Sequence, residues 1–448
     1  MEIAELRKRV QAELPRIRRD LEDLVRIESV SADPARAEEV LRSAEAVAEL
    51  FRAEGFADTR IVSARDDGGA PAVLASKPAP EGRPTVLLYA HHDVQPENDH
   101  AEWDSPPFEP TERDGRLYAR GAADDKAGIA AHLAAVRALG DDLGVGVTMF
   151  IEGEEEVGSD TLPALLAEHR DFLAADVIVI ADSSNWDVGV PALTTSLRGL
   201  VRVDVGVRTL THAVHSGMWG GLVPDGLMSL VRLLDTLWDE QGDVAVDGLF
   251  SGPAADVDYP ERRLRAESGV ASGVEFIGTG SSVERLWTRP SITITGLDAP
   301  KVDGASNTLV PTARAKISMR IAPGDTTANA LECLRRHVES RVPWGAELTF
   351  DVVDTGEATQ IEATGPAYDA ARAAFTEAWD GVEPIDMGVG GSIPFIAEFL
   401  ESFPEASVLV TGVEDPDTRA HGANEGLHLA EFERVCLAEA LLLDQLAD

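Results

Sequence analysis

Three short apolar runs, each stopping abruptly at acidic or imidazole side chains, set the strongest limit on what this chain can fold into. They read PTVLLYAHHDV from Pro84, VGVTMFIEGEEE from Val145 and ADVIVIADSS from Ala175. Apolar runs of this length without polar alternation are strands buried on both faces. Helical spacing fills the gaps: residues 1–60 read as two helices, the second roughly Ala37–Glu54, and residues 126–140 read as another. Strands alternating with helices predict an α/β fold with a mostly parallel sheet and flanking helices. Side chains just past the carboxyl ends of such strands converge on one crevice. All three ends carry His, Asp or Glu, so that convergence is the first functional clue.

From about Arg198 to Thr355 the pattern changes. LVRVDVGVR, SITITGL, ARAKISMRIA and AELTFDVVD alternate as half-exposed strands, with helices at roughly 224–239 and 326–340. The order β-α-β-β-α-β is that of a ferredoxin-like α+β domain. Residues 241–288, rich in Gly and Asp, read as an irregular excursion within it. The α/β pattern then resumes, so 198–356 is expected to be a domain inserted into one formed by 1–197 and 357–448.

Charge narrows the function. Of 448 residues, 39 are Lys or Arg and 79 are Asp or Glu, a net charge of −40. That excludes a nucleic-acid binder working by counterion release and argues against an anionic membrane as partner. With 44% hydrophobic residues the chain buries a sizeable core, so the acidity sits on a folded surface. Cys333 and Cys436 stand far apart and outside any CxxC, which excludes a disulfide framework and favours a reducing compartment. The N-terminus is an amphipathic helical pattern without a signal peptide's apolar run, and nothing later approaches about 18 uninterrupted apolar residues. A soluble, cytoplasmic protein is expected.

The acidic and imidazole positions at strand ends or in Gly-rich loops are His91 with Asp93, Asp124, Glu155 with Glu156, Asp182, and His421. Imidazole and carboxylate donors without thiolate suit Zn²⁺, Mn²⁺ or Co²⁺. Two His and three carboxylates are the number needed to hold two ions that share one bridging carboxylate. A further carboxylate must stay off the metal to move protons, and adjacent Glu155 and Glu156 can divide that work. Each position alone has a plainer reading: EEE at 154–156 as a solvated loop, Asp182 as a cap, His421 as a surface histidine. Together they are hard to reach by chance.

From Thr85 to Glu425 the chain resembles the dinuclear metallopeptidase family of carnosinase, cytosolic non-specific dipeptidase, carboxypeptidase G and succinyl-diaminopimelate desuccinylase, and most nearly its dipeptidase branch. LLYAHHDVQP resembles the strand ending in His-x-Asp, which implies His91 as a ligand and Asp93 as the residue orienting it. LYARGAADDKAG resembles a loop whose Asp, here Asp124, bridges two metals and precedes a cis peptide. FIEGEEEVGS implies Glu155 as general base and Glu156 as ligand, IADSSNW implies Asp182, and RAHGANE implies His421. THAVHSGMWGG resembles a motif whose His, here His215, reaches the neighbouring subunit's active site. NTLVP implies Thr308 as a substrate contact, with Asn307 as the register alternative. SMRIAP implies Arg320 as the partner of the substrate's C-terminal carboxylate, and GGSIP implies Ser392 as a further contact.

The chain departs from the pattern at Ala90 and His92, and at Gly388-Val389, where the dipeptidases carry Arg-Glu. What the resemblance implies is a homodimeric enzyme with two divalent ions per subunit, zinc first among them. It would cleave dipeptides or small peptides with a free C-terminus, and the inserted domain would serve as lid and dimerisation surface. Glu155 would move the proton, and His215, supplied in trans, would stabilise the oxyanion. An N-acyl-amino-acid deacylase or a carboxypeptidase would use the same residues, and an inactive metal-binding relative would keep only the ligands.

Overall fold

A computed structural model describes residues 1–64, 68–253, 256–391 and 394–447. The chain divides into two compact units: Met1–Thr195 with Ile361–Met387 and Pro394–Asp448, and Ser196–Gln360 with Gly388–Ile393.

The first unit opens with α1 (Ile3–Val25), whose Leu6, Val10, Ile17, Leu21 and Leu24 are buried at helical spacing. Helix α2 (Ala37–Ala53) does the same with Val40, Ala44, Val47 and Phe51 and packs on strands β1 (Asp58–Val62) and β2 (Ala72–Lys77). Strand β3 (Thr85–His91) is followed by α3 (Lys126–Leu139), β4 (Gly146–Glu152), β5 (Val177–Ile180) and β6 (Ala192–Leu197). Helix α3 is buried nearly all round, which its Ala and Gly content permits: small side chains let it lie close to both α1 and β3. Every residue of β4 and β5 is buried, as the uninterrupted apolar runs require.

The second unit contains β7 (Gly199–Arg208), β8 (Val214–His215), α4 (Gly226–Asp235), β9 (Ser291–Asp298), β10 (Thr308–Leu309), β11 (Thr312–Ile321), α5 (Thr327–Arg341) and β12 (Glu347–Gly356). Its four long strands form an antiparallel sheet in the order β9-β11-β7-β12, the ferredoxin-like arrangement. Val201, Val203, Val205 and Val207 of β7 alternate inward and meet Ala315, Ile317 and Met319 of β11 and Leu230, Leu233, Leu334 and Val338 of the helices. The excursion at 241–288 is not wholly irregular: it holds a helix at Glu261–Ser268 and a π-type turn at Glu284–Thr288. The helix carries no buried residue and has i,i+4 Arg–Glu pairs, so it lacks the apolar stripe by which a packed helix is read.

The chain then returns to the first unit through α6 (Pro366–Ala378), β13 (Ser407–Val410) and α7 (Leu429–Leu446), the last packed on α1, α3 and α6. Strand β13 joins the large sheet, seven of whose nine strands run in the order β1-β2-β4-β3-β5-β13-β6. Strands β4, β3, β5 and β13 run parallel, so their carboxyl ends share one edge. Among the described residues no helix is long and apolar enough to cross a membrane.

Candidate metal centre

His91 is the last residue of β3 and fully buried. Its Nδ1 lies 3.0 Å from the Asp93 carbonyl oxygen and 3.4 Å from Asp93 Oδ1, which fixes the proton on that nitrogen and leaves Nε2 as a donor of electrons. Nε2 faces Asp124 Oδ1 at 3.1 Å, with Glu155 Oε2 and Asp182 Oδ2 each at 3.9 Å. The Asp93 carboxylate also accepts the backbone N–H of Glu155 (3.3 Å) and of Glu156 (3.1 Å), so one buried acid orients both the imidazole and the turn after β4.

Asp124 precedes α3 and is joined to Asp125 by a cis peptide. Its second oxygen, Oδ2, lies 3.2 Å from His421 Nε2, which is also 3.3 Å from Glu156 Oε2. One carboxylate thus faces two imidazoles through different oxygens. Glu156 is held from behind by Gln95, whose backbone N–H reaches Oε1 at 3.0 Å and whose side-chain amide reaches Oε2 at 2.7 Å. His421 lies in the loop after β13 with φ +62°, in the left-handed region that His enters more readily than most non-glycine residues.

The electrostatics follow from burial. Asp182 is pushed up to about 7, chiefly by removal from water. Burial, then the charge of Asp182, raises Glu155 well above the usual carboxylate range. Asp124 goes the other way: burial opposes its ionisation, but hydrogen bonds from His421 and His91 hold it well below that range. His421 is raised to about 11 by hydrogen bonding to Asp124 and then to Glu156. A buried surplus of carboxylates around two imidazoles is expensive unless cations share the space. His91, Asp124 and Glu156 bring ligand atoms within 4.8 Å of one another, and His91, Asp125 and Asp182 form a second such group. These donors, hard oxygen and imidazole nitrogen with Nδ1 of His91 already anchored, fit divalent ions.

Asp125 appears in the second group although the sequence reading did not single it out. Its Oδ2 accepts the His91 backbone N–H at 3.2 Å, so the side chain is tied to the end of β3. Glu425 was also missed. It is fully buried and accepts the backbone N–H groups of Gly121 (3.0 Å), Ala123 (2.9 Å) and Asp124 (3.1 Å), while Arg120 Nη1 donates to it at 2.7 Å. It shapes the loop that presents Asp124, and the RAHGANE motif contained it.

The other expected contacts lie in the second unit. His215 and Thr308 face each other in a two-residue ribbon of β8 and β10, and both are exposed. His215 Nδ1 accepts the Gly217 N–H at 3.0 Å, which leaves any neutral-ring proton on Nε2. Asn307, the register alternative, uses its carbonyl to accept from Ser216 N–H. Arg320 is half-buried on β11, and Ser392 lies outside the described residues. Gly388 has a packing reason to lack a side chain: a Cβ there would come within 2.6 Å of Trp287 Cβ.

The chain is 34% identical over 436 residues to the cysteinylglycine-S-conjugate dipeptidase of Corynebacterium striatum, covering 96% of this chain and 95% of that protein. It is 30% identical over 379 residues to the Beta-Ala-His dipeptidase of Rattus norvegicus, covering 80% and 76% respectively. The crystal structure of human carnosine dipeptidase 1 superimposes with a TM-score of 0.78 at 26% identity, over 100% of this chain and 99% of that one. The profile of peptidase family M20/M25/M40 matches residues 87–445, and the chain belongs to that family.

Proposed function

We propose that this chain is a dinuclear, metal-dependent dipeptidase acting on dipeptides or small peptides with a free C-terminal carboxylate. The observation that carries the reading is the placement of Asp124 between His91 and His421, one oxygen 3.1 Å from the first imidazole and the other 3.2 Å from the second. In this reading His91 and Asp182 would hold one ion and Glu156 and His421 the other, with Asp124 available to both. Zinc is the first choice, with manganese and cobalt suited to the same donors. When bound, such a pair supplies Lewis acidity, polarising an amide carbonyl and acidifying water.

The protein's own groups do the rest. Glu155 is made more basic than an ordinary carboxylate by burial and by Asp182, which suits it to take the proton of the attacking water and return it to the leaving amine. Asp93 keeps the His91 ring in the required tautomer. His215, with Nδ1 occupied by Gly217, offers Nε2–H to the developing oxyanion. We assign that His to the partner's site in a homodimer, with the inserted unit as lid and dimerisation domain. Thr308, Ser392 and Arg320 meet the substrate, the last at its carboxylate. The relatives are named as dipeptidases, which favours this substrate class over acyl-amino acids or longer peptides. Both cysteines are buried free thiols, in keeping with a reducing, cytoplasmic setting.

The test is metal analysis joined to a substrate panel. About two equivalents of divalent metal per chain, with dipeptides turned over faster than acyl-amino acids and longer peptides, are expected. A maximum of one ion under metal-replete conditions would remove the dinuclear assignment.

A further inference from the structure

Arg198 stands directly before β7 in the second unit, and only 8% of it is exposed. Its Nε donates to the Gly390 carbonyl at 3.2 Å, and its Nη1 reaches the carbonyls of Arg285 (3.3 Å) and Arg289 (3.4 Å) and Ser291 Oγ (3.1 Å). Every one of these acceptors is neutral. Among the described residues no carboxylate pairs with it, and Nη2 has no acceptor. In a chain with a net charge of −40, a guanidinium this deeply placed would readily have found an acid had structure alone required one.

Its setting is built closely. A Cβ at Gly390 would lie 2.9 Å from Arg198 Nη2 and 3.3 Å from the Leu286 carbonyl, so the guanidinium packs directly against the Gly390 backbone. Ser291, which accepts from Arg198, is the residue paired directly with Arg320 across β9 and β11. Arg320 in turn sits opposite Leu200, two residues from Arg198. Along β11 the buried positions alternate with Lys316, Ser318 and Arg320, so Arg320 lies on the sheet face away from the core. Burial first, and then the charge of Arg320, lowers the Arg198 pKa to about 10, the sign expected when two cations share a partly dry space.

We propose that Arg198 and Arg320 form a two-guanidinium subsite for the substrate's carboxylate, with Arg198 Nη2 donating to it. This rests on the dipeptidase reading above, in which Arg320 meets the free C-terminus, and adds a specificity residue to it. A carboxylate has lone pairs for several donors, and a planar guanidinium held by Nε and Nη1 is already oriented to use Nη2.

The experiment compares metal-loaded, full-length wild type with Arg198→Gln and Arg198→Lys on one dipeptide and on its C-terminal amide. Removing a donor to a charged group should lower the acid-over-amide ratio of kcat/KM by roughly 10–100-fold, expressed in the KM for the acid with kcat changed by less than about threefold. Arg198→Lys should restore only part of that ratio, since an ammonium cannot hold the Gly390 and Ser291 contacts and the carboxylate at once. A purely structural tie would instead depress kcat/KM equally on both substrates, and that result, or an unchanged ratio, overturns the proposal. Should Arg198→Gln fail to fold, judged by its melting temperature, the ratio measured on Arg198→Lys decides. Wild type that turns over acid and amide equally would sink the carboxylate reading of Arg320 as well. Wild type that strongly prefers the acid, with the Arg198 variants keeping that preference, would sink the Arg198 assignment alone.

Discussion

The surroundings of His91 and the surroundings of His215 are made by opposite means. At His91 the key groups are held by protein partners: Asp93 holds the ring, Gln95 holds Glu156, and Glu425 gathers three backbone N–H groups beneath Asp124. These groups hang from the ends of long parallel strands and the start of a buried helix. His215 and Thr308 sit instead on a ribbon of two residues per strand, exposed, with the His ring tied only to a neighbouring N–H. Ligands for a multiply charged ion must be fixed in advance, because a carboxylate cluster that has to assemble around the ion forfeits affinity. A group that touches only substrate can stand on a looser support and still act when an interface closes over it. The contrast predicts that damage in the first region is paid in metal and chemistry, and damage in the second in substrate handling and assembly.

The largest effect should separate Glu155 from Glu156. Glu155→Gln should keep its metal while kcat drops about 10²–10⁴-fold, the range for loss of a positioned proton acceptor. Glu156→Gln should lose metal as well, because its oxygen stands 3.3 Å from His421 Nε2 in the ligand group. Metal content and kcat measured on both variants check this, and a Glu155→Gln enzyme of near-normal kcat would move the proton-transfer role elsewhere.

Subunit mixing probes the looser region. His215→Ala and Glu155→Gln should each be nearly inactive as homodimers. In a mixed dimer one site joins an intact Glu155 to an intact His215 from the partner. Random exchange makes about half of the dimers mixed with one good site of two, so activity should return to about a quarter of wild type. Exchange demonstrated by labelled subunits without any return of activity would confine His215 to its own chain, where its Gly217 contact already gives it a plain capping role.

Next in size is Glu425, which touches no expected metal ligand except through backbone. Glu425→Gln keeps the shape but cannot accept from Arg120 and three N–H groups with full charge. Metal affinity, followed by competition with a chelator, should fall about 10–100-fold, the usual cost of losing an outer support. An unchanged affinity would mean that the loop holds Asp124 without Glu425.

These supports mark the boundary of what could be read in the sequence. His91, Glu155, Glu156 and Asp182 were legible because each follows an uninterrupted apolar run, and such a run has few alternatives to a buried parallel strand. The ferredoxin-like order was legible for the same kind of reason, from period-two alternation in β7 and β11. Glu425 and Asp125 were not. Both stood inside recognised motifs, but which of several neighbouring acids turns toward the backbone is decided by contacts hundreds of residues apart, as between Arg120 and Glu425. Arg198 escaped for a related reason: its acceptors at 285, 289 and 390 come together only in the folded unit.

The smallest effect tests whether the buried ionic character of the first unit extends beyond its metal centre into its frame. His132, fully buried on α3, presents Nδ1 to Glu439 Oε1 at 2.8 Å and Nε2 to the Tyr89 carbonyl at 3.0 Å. Both partners accept hydrogen bonds, so only the doubly protonated ring satisfies them together. Burial opposes that charge, but the attraction of Glu439, its hydrogen bond and the Tyr89 carbonyl outweigh it and raise the pKa above the ordinary value. A raised folded-state pKa contributes stability that is complete below the unfolded value near 6.5 and is lost as pH climbs through the folded one, with each unit of difference worth about 1.4 kcal/mol. Denaturant unfolding of metal-loaded protein at a series of pH values upward from about 6 should therefore show a decline that His132→Gln lacks, because a neutral amide has no proton to lose. Wild type should stand ahead of the variant at low pH, with the gap narrowing as pH rises. Parallel curves for the two proteins would show that the ring is neutral throughout, and that the link among α3, α7 and β3 is held by packing without the ion pair.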